Sequence, residues 1–258
     1  MISIIIIFCL ISNTSFTNEP PKVVHVFVAL CDNENQGIVP VSAELGNGNN
    51  PDHNLYWGAL YGVKTFFRRD KDWKLIKCVS NRSDVILESC IFKLADQNVY
   101  LVADAYKGKN IKQSIQDFIN SAGCNNKDSI LLDSTSLRIG GDANLVAYIG
   151  HNGLMEFSLD SIPKHLTNCK KDAIVLACAS RYYFSNAFEK NNVNPLLWTT
   201  NLMAPEAYTL EAALNGWVMG ENKNQIVLRA AKAYSKYQKC SLKSAKNLFV
   251  HGYNEDNN

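Results

Sequence analysis

The chain has 258 residues, 47% of them hydrophobic and 19% charged, so it can pack a sizeable core and wholesale disorder is excluded. Lys and Arg number 26 against 24 Asp and Glu, and a net charge of +2 argues against a dedicated nucleic-acid binder or a polybasic membrane binder. Glycine (14) and proline (7) are too few for a collagen-like or linker-dominated chain.

The first element is the apolar run Ile2 to Ile11, followed at once by the small polar stretch Ser12 to Thr17. A bilayer span takes about 20 apolar residues, so this run fits the h-region of a secretory signal peptide, cleaved between Ser15 and Glu19. A buried first strand is the competing reading of the same residues. With residues 1–18 removed, 19–258 is expected to form one α/β domain, secreted or periplasmic, with no stable membrane span. Seven cysteines then remain, at 31, 78, 90, 124, 169, 178 and 240. An odd number leaves at least one thiol free or paired with another chain, and six cysteines allow 15 connectivities. No C-x-x-C spacing supports a zinc knuckle or a thioredoxin-type site, and neither metal nor cofactor is expected.

Val23 to Cys31 is uniformly apolar and reads as a buried strand. Leu55 to Arg69 carries apolar residues at helical spacing and predicts a helix. Trp73 to Val79 and Val85 to Leu94 predict strands paired as a hairpin across Asn81-Arg82-Ser83-Asp84. Val99 to Ala105 is a further strand, and Ile111 to Ala122 a helix closed by Gly123. Two strong apolar runs follow, Asn144 to Gly150 and Asp172 to Ala179, separated by a short segment around Ser158 to Asn168. Beyond them come a helix near Tyr182 to Lys190 and a strand near Leu196 to Thr200. A helix from Pro205 to Met219, with Pro at its first position, and a helix from Gln225 to Lys239 complete the pattern. The tail from Tyr253 to Asn258 is polar and reads as frayed. Strands without a polar face, alternating with helices, predict a mostly parallel sheet covered on both sides, a three-layer α/β/α sandwich.

In such sheets functional groups sit on loops beyond the carboxyl ends of the strands. Gly150-His151-Asn152-Gly153 follows one apolar run, and Ala177-Cys178-Ala179-Ser180 ends the next. If these strands are neighbours, an imidazole and a thiol stand at the same relative position about 4.8 Å apart along the sheet. A cysteine nucleophile needs a base or a cationic imidazole to hold it as thiolate, so the pair suits acyl transfer. Small residues beside it, Gly153 and Ala177, leave backbone amides accessible for an oxyanion.

An apolar strand ending in His-Gly, then one ending in Ala-Cys, resembles the clan of cysteine peptidases that holds caspases, legumains, gingipains and separases. The gingipain-like form, with Gly150 before His151, is the nearest match. The motif covers about 35 residues, and the strand–helix order agrees over roughly 23 to 220. The resemblance implies a caspase-like fold, Cys178 as nucleophile, His151 as general acid/base, and an oxyanion hole from the Cys178 amide and that of Gly153 or Asn152. It further implies a His-orienting role for Asn33, on the loop after the first strand, as in legumain-like members. Asp32 is placed where it could pair a basic substrate side chain, and Asn201 and Met203 where they could line the specificity pocket. The substrate implied is a peptide or protein.

Two departures stand out: Asn152 separates His151 from the glycine, and His151 and Cys178 lie only 27 positions apart. They favour a second reading, a non-catalytic binding or scaffold protein that keeps the fold with a degenerate site. A nucleotide binder lacks support because neither G-x-G-x-x-G after the first strand nor G-x-x-x-x-G-K-[ST] occurs, and no G-x-S-x-G elbow suggests a serine hydrolase.

Overall fold

The computed structural model describes residues 19–162 and 169–253. The expected signal segment, the tail 254–258 and part of the segment before the second apolar run lie outside the described residues.

The first strand, β1 (Lys22–Ala29), is buried almost end to end, as its unbroken apolar run requires. It lies between β4 (Val99–Tyr106) and β7 (Leu145–Ile149), parallel to both. Next to β7 come β8 (Asp172–Leu176) and β9 (Asn194–Thr199), also parallel. The antiparallel hairpin β2 (Trp73–Ser80) and β3 (Ile86–Leu94) extends the β4 side, and Cys78–Cys90 bridges it. The two-residue β10 (Phe249–Val250) closes the other side, antiparallel to β9. The result among the described residues is a mixed α/β fold on a mostly parallel eight-stranded sheet, ordered β10-β9-β8-β7-β1-β4-β3-β2.

Alternation along the strands divides the core. Val24, Val26 and Val28 join one apolar cluster with residues of helices α1 (Val63–Arg69), α4 (Ala207–Val218), α5 (Lys223–Gln238) and α6 (Leu242–Leu248). Phe27 and Ala29 join a second with α2 (Ile111–Ala122) and α3 (Ser180–Lys190). Phe118 of α2 is its hub, its ring meeting those of Phe27, Tyr148, Phe184 and Phe188 at centroid distances of 5.8–6.0 Å. No helix among the described residues is long and apolar enough to cross a membrane.

Three expectations need correction. Residues 54–62 are turns, and the helix expected from Leu55 begins only at Val63. Asn54 explains this: its side chain accepts from the N–H groups of Cys31 and Tyr56 and donates to the Cys31 carbonyl, fastening a turn to the end of β1. Gly58 then packs so close to the chain that a Cβ would lie 2.0 Å from the Asp52 carbonyl oxygen. Pro205 is not at the first position of α4 but one residue before the cap, Glu206. Finally, an antiparallel hairpin, β5 (Lys127–Leu132) and β6 (Thr135–Gly140), stands where no element is expected, and α6 and β10 were likewise not anticipated.

Candidate active site

Residues Ile149 and Leu176 form the last rung of the β7–β8 pairing, and Gly150 N–H continues it to the Leu176 carbonyl at 3.2 Å. His151 and Cys178 therefore each stand two residues past one rung, on adjacent parallel strands. The glycine before the histidine has a backbone reason. Gly150 adopts φ = 147°, which side-chain-bearing residues rarely adopt, and its Cα faces the Ala29 carbonyl and the Tyr56 ring.

The thiol rises from a sharp strand-to-helix turn. Ala179 takes the left-handed conformation, φ = 46°, which costs a non-glycine residue on the order of 1 kcal/mol. Around it the Ser180 hydroxyl donates to the Val175 carbonyl, the Thr199 hydroxyl donates to the Ala177 carbonyl, and Ala179 N–H donates to the Asn201 carbonyl. These bonds hold the turn open at Cys178, and the Ser180 N–H that begins α3 two residues later donates to the Thr199 hydroxyl at 3.1 Å.

Asn152, the residue that interrupts the expected His-Gly pair, is fully buried. Its amide donates to the Cys178 carbonyl at 2.6 Å and accepts from Leu154 N–H at 3.1 Å. It therefore clips the histidine segment to the cysteine segment, and caps the short turn Gly153–Met155. The N–H groups of Gly153 and Cys178 donate to no acceptor among the described residues, as an oxyanion hole requires.

The two reactive groups have separate partners. The Cys178 sulfur accepts from Met203 N–H at 3.4 Å and lies 3.6 Å from the Met203 carbonyl, to which its S–H donates. The His151 ring pairs through Nε2 with Glu156, whose carboxylate also accepts from Gly37 N–H at 2.8 Å. The His151 main chain is fixed as well, its carbonyl accepting from the Tyr148 hydroxyl at 2.7 Å. Nδ1 has no hydrogen-bond partner among the described residues.

Of the remaining sequence-derived candidates, Asn33 is engaged elsewhere. It exchanges two bonds with the Val41 main chain, at 2.9 and 3.0 Å, and Glu156 holds the ring that Asn33 was expected to orient. The Asp32 carboxylate is buried and accepts from Glu34 N–H, Asn35 N–H and the Asn35 side chain, which makes it the anchor of a turn. Met203 reaches the sulfur through its main chain, its side chain lying in the first core. The Asn201 side chain accepts from Leu202 N–H. Glu156 and Asn152 are the site residues that the sequence did not single out for these roles.

The other cysteines sort by environment. Cys124–Cys169 forms a second disulfide. Cys31, Cys178 and Cys240 are free. Burial pushes the Cys31 thiol up to about 11, a Tyr56 hydrogen bond offsetting part of the rise and Asp32 adding to it. Cys31 is thus kept as an inert thiol, whereas Cys178 is partly open to solvent. Among the described residues the one group spaced to ligate a metal is Cys78, Glu88 and Cys90; its sulfurs are bonded to each other and Glu88 is held by Lys64 and Trp57.

No family model matches the chain, and no curated protein or solved structure matches it.

Proposed function

We propose that the chain is an exported cysteine-type hydrolase, an endopeptidase of the caspase, legumain, gingipain and separase kind, built on a three-layer α/β/α sandwich. The observation that carries this reading is the shared rung of β7 and β8, which sets His151 and Cys178 at matching strand ends beside two N–H groups that have no acceptor among the described residues. Apolar clusters on opposite faces of the sheet, each closed by helices, support the sandwich. Two disulfides fit an oxidising compartment.

In the reaction the Cys178 sulfur attacks the scissile carbonyl, forming a C–S bond while its proton passes to His151 Nδ1. The Met203 N–H, already directed at the sulfur, favours the anion, and the contact to the Met203 carbonyl lapses when the S–H proton leaves. The oxyanion falls to Gly153 and Cys178 N–H. The imidazolium, steadied by Glu156, gives its proton to the leaving amine as the C–N bond breaks, and water then hydrolyses the thioester.

One observation favours the second reading, a non-catalytic binding or scaffold protein: in the resting structure the sulfur is engaged by Met203 and the ring by Glu156. Replacement decides between them. Cys178→Ala should abolish peptide hydrolysis and His151→Ala should lower it by about 10²–10⁴-fold, with thermal melts of both unchanged. Iodoacetamide should label Cys178 and spare Cys31. Labelling elsewhere, with full activity in Cys178→Ala, rules out the dyad.

A further inference from the structure

Beside the histidine loop lies a hollow of about 440 Å³, walled mainly by apolar and aromatic residues with polar groups exposed among them, that the dyad chemistry leaves unused. One wall is Leu154, Phe157 and Ile162, from the segment after His151; the other is Tyr182 and Tyr183 of α3. Ser158 and Asn186 supply polar groups, and among the described residues no charged side chain lines it. Four of these apolar residues rest half-buried on the second core, so the walls are firmly seated. Tyr182 is 79% exposed, its ring edge-on to Tyr183 at 5.0 Å.

Both walls are continuations of the segments that carry the dyad. Leu154 follows Gly153 directly, and Tyr182 stands in the first turn of α3 with its N–H on the Ala179 carbonyl. The Asn152 clip between those segments fixes the hollow relative to Cys178. Met155 and Leu202, also solvent-exposed, continue the apolar character on the loops after β7 and β9, along the same carboxyl edge of the sheet. Against this, the one acidic group expected to select a basic substrate, Asp32, spends its carboxylate on its own turn.

We propose that this hollow is a specificity subsite that takes a large apolar side chain, aromatic or branched aliphatic, within a few residues of the scissile bond. The inference rests on the hydrolase reading and adds the substrate class. The hollow has the volume for a bulky side chain, and burying an apolar group there also covers the Tyr182 ring. A charged side chain in the same place would lose water and gain no charged partner among the described residues.

The test uses internally quenched peptides, which place residues on both sides of the bond, with Phe, Leu, Lys or Asp varied one position at a time. At one position Phe and Leu should raise kcat/KM at least about tenfold over Lys and Asp, and Tyr182→Ala should reduce that preference to about threefold or less, through KM. The rate of iodoacetamide labelling of Cys178 should be the same in both proteins. Turnover without such a preference, or a preference that survives both Tyr182→Ala and Leu154→Asn, overturns the subsite and leaves the hydrolase reading standing. No hydrolysis of any peptide, with Cys178 unlabelled, overturns both.

Discussion

Two histidines on this sheet obey opposite rules. His25, in the middle of β1, is buried with both ring nitrogens in use: Nε2 meets Asp104 at 3.0 Å and Nδ1 accepts from Gly140 N–H at 3.1 Å. That acceptor role fixes the proton on Nε2. Asp104 in turn accepts from Arg82 at 2.7 Å, and Arg82 reaches Asp128 at 2.9 Å. The network ties β1, β4, the β2–β3 turn and the β5–β6 hairpin together, so this histidine is a strut. His151 stands past the end of β7, with one nitrogen held by Glu156 and the other uncommitted among the described residues. Only a ring with a nitrogen to spare, beside an opening, can carry a proton between reactants. Residue type and sheet are shared, and wiring makes the difference.

The contrast is broken most severely at Asp104. Burial alone would raise its carboxyl, but the hydrogen bond from His25 and the charge of Arg82 help hold it below the ordinary value. A depressed carboxyl stabilises the fold fully above its unfolded value of about 3.9, and the contribution fades as pH falls through the lower folded value. Asp104→Asn keeps an acceptor for His25 but takes one carboxylate from Arg82, which retains only Asp128, and should cost about 1–3 kcal/mol at neutral pH, read by urea unfolding. The deficit against the wild type should shrink as the pH drops below about 4, and labelling of Cys178 should not change. A variant that is as stable as the wild type at pH 7, or that alters Cys178 reactivity, shows that the two regions do not differ as described.

The part of this contrast legible in the sequence is the part written as unbroken apolar runs. β1, β4, β7, β8 and β9 are buried on both faces and cannot be mistaken for surface, and α2 begins and ends where its pattern and Gly123 place it. The β5–β6 hairpin escapes because it buries little: Leu137 and Ile139 face inward while Leu131 is exposed, so its alternation is faint. The loop residues were harder for another reason. Asp32 and Asn33 have the same side chains whether they hold a turn or a ligand, and here each has its bonding capacity spent within the loop. Glu156 reaches His151 across an irregular five-residue segment that has no period to betray it.

Asn152 is the smaller test. In sequence it is an interruption; in the structure it joins the two halves of the site. Asn152→Ala removes one bond to the Cys178 carbonyl and one turn cap, and should cost about 1–3 kcal/mol in a urea melt. If the clip also places the reactive groups, kcat should fall with little change in KM, whereas Asn152→Asp, which can still cap the turn but cannot donate, should recover stability better than activity. Equal recovery of both would reduce Asn152 to a cap.

The least disruptive test falls on Glu156, the partly solvated counterpart at His151 of the buried Asp104 at His25. Its carboxylate is partly solvated, so the ion pair contributes little to stability, about 0–1 kcal/mol, and Glu156→Gln should leave the melt almost unmoved. Glutamine still offers a carbonyl oxygen to Gly37 N–H or to the ring, so geometry is largely kept while the charge is lost. If Glu156 positions the imidazole and steadies its protonated form, kcat and the rate of Cys178 alkylation should both fall several-fold, and KM for peptides should hold. A purely structural tie between the histidine loop and the β1 loop would move neither rate once the fold is intact. Glu156→Ala separates the possibilities further: it releases Gly37 as well, so a deeper loss of kcat than in Glu156→Gln measures what tethering adds to charge.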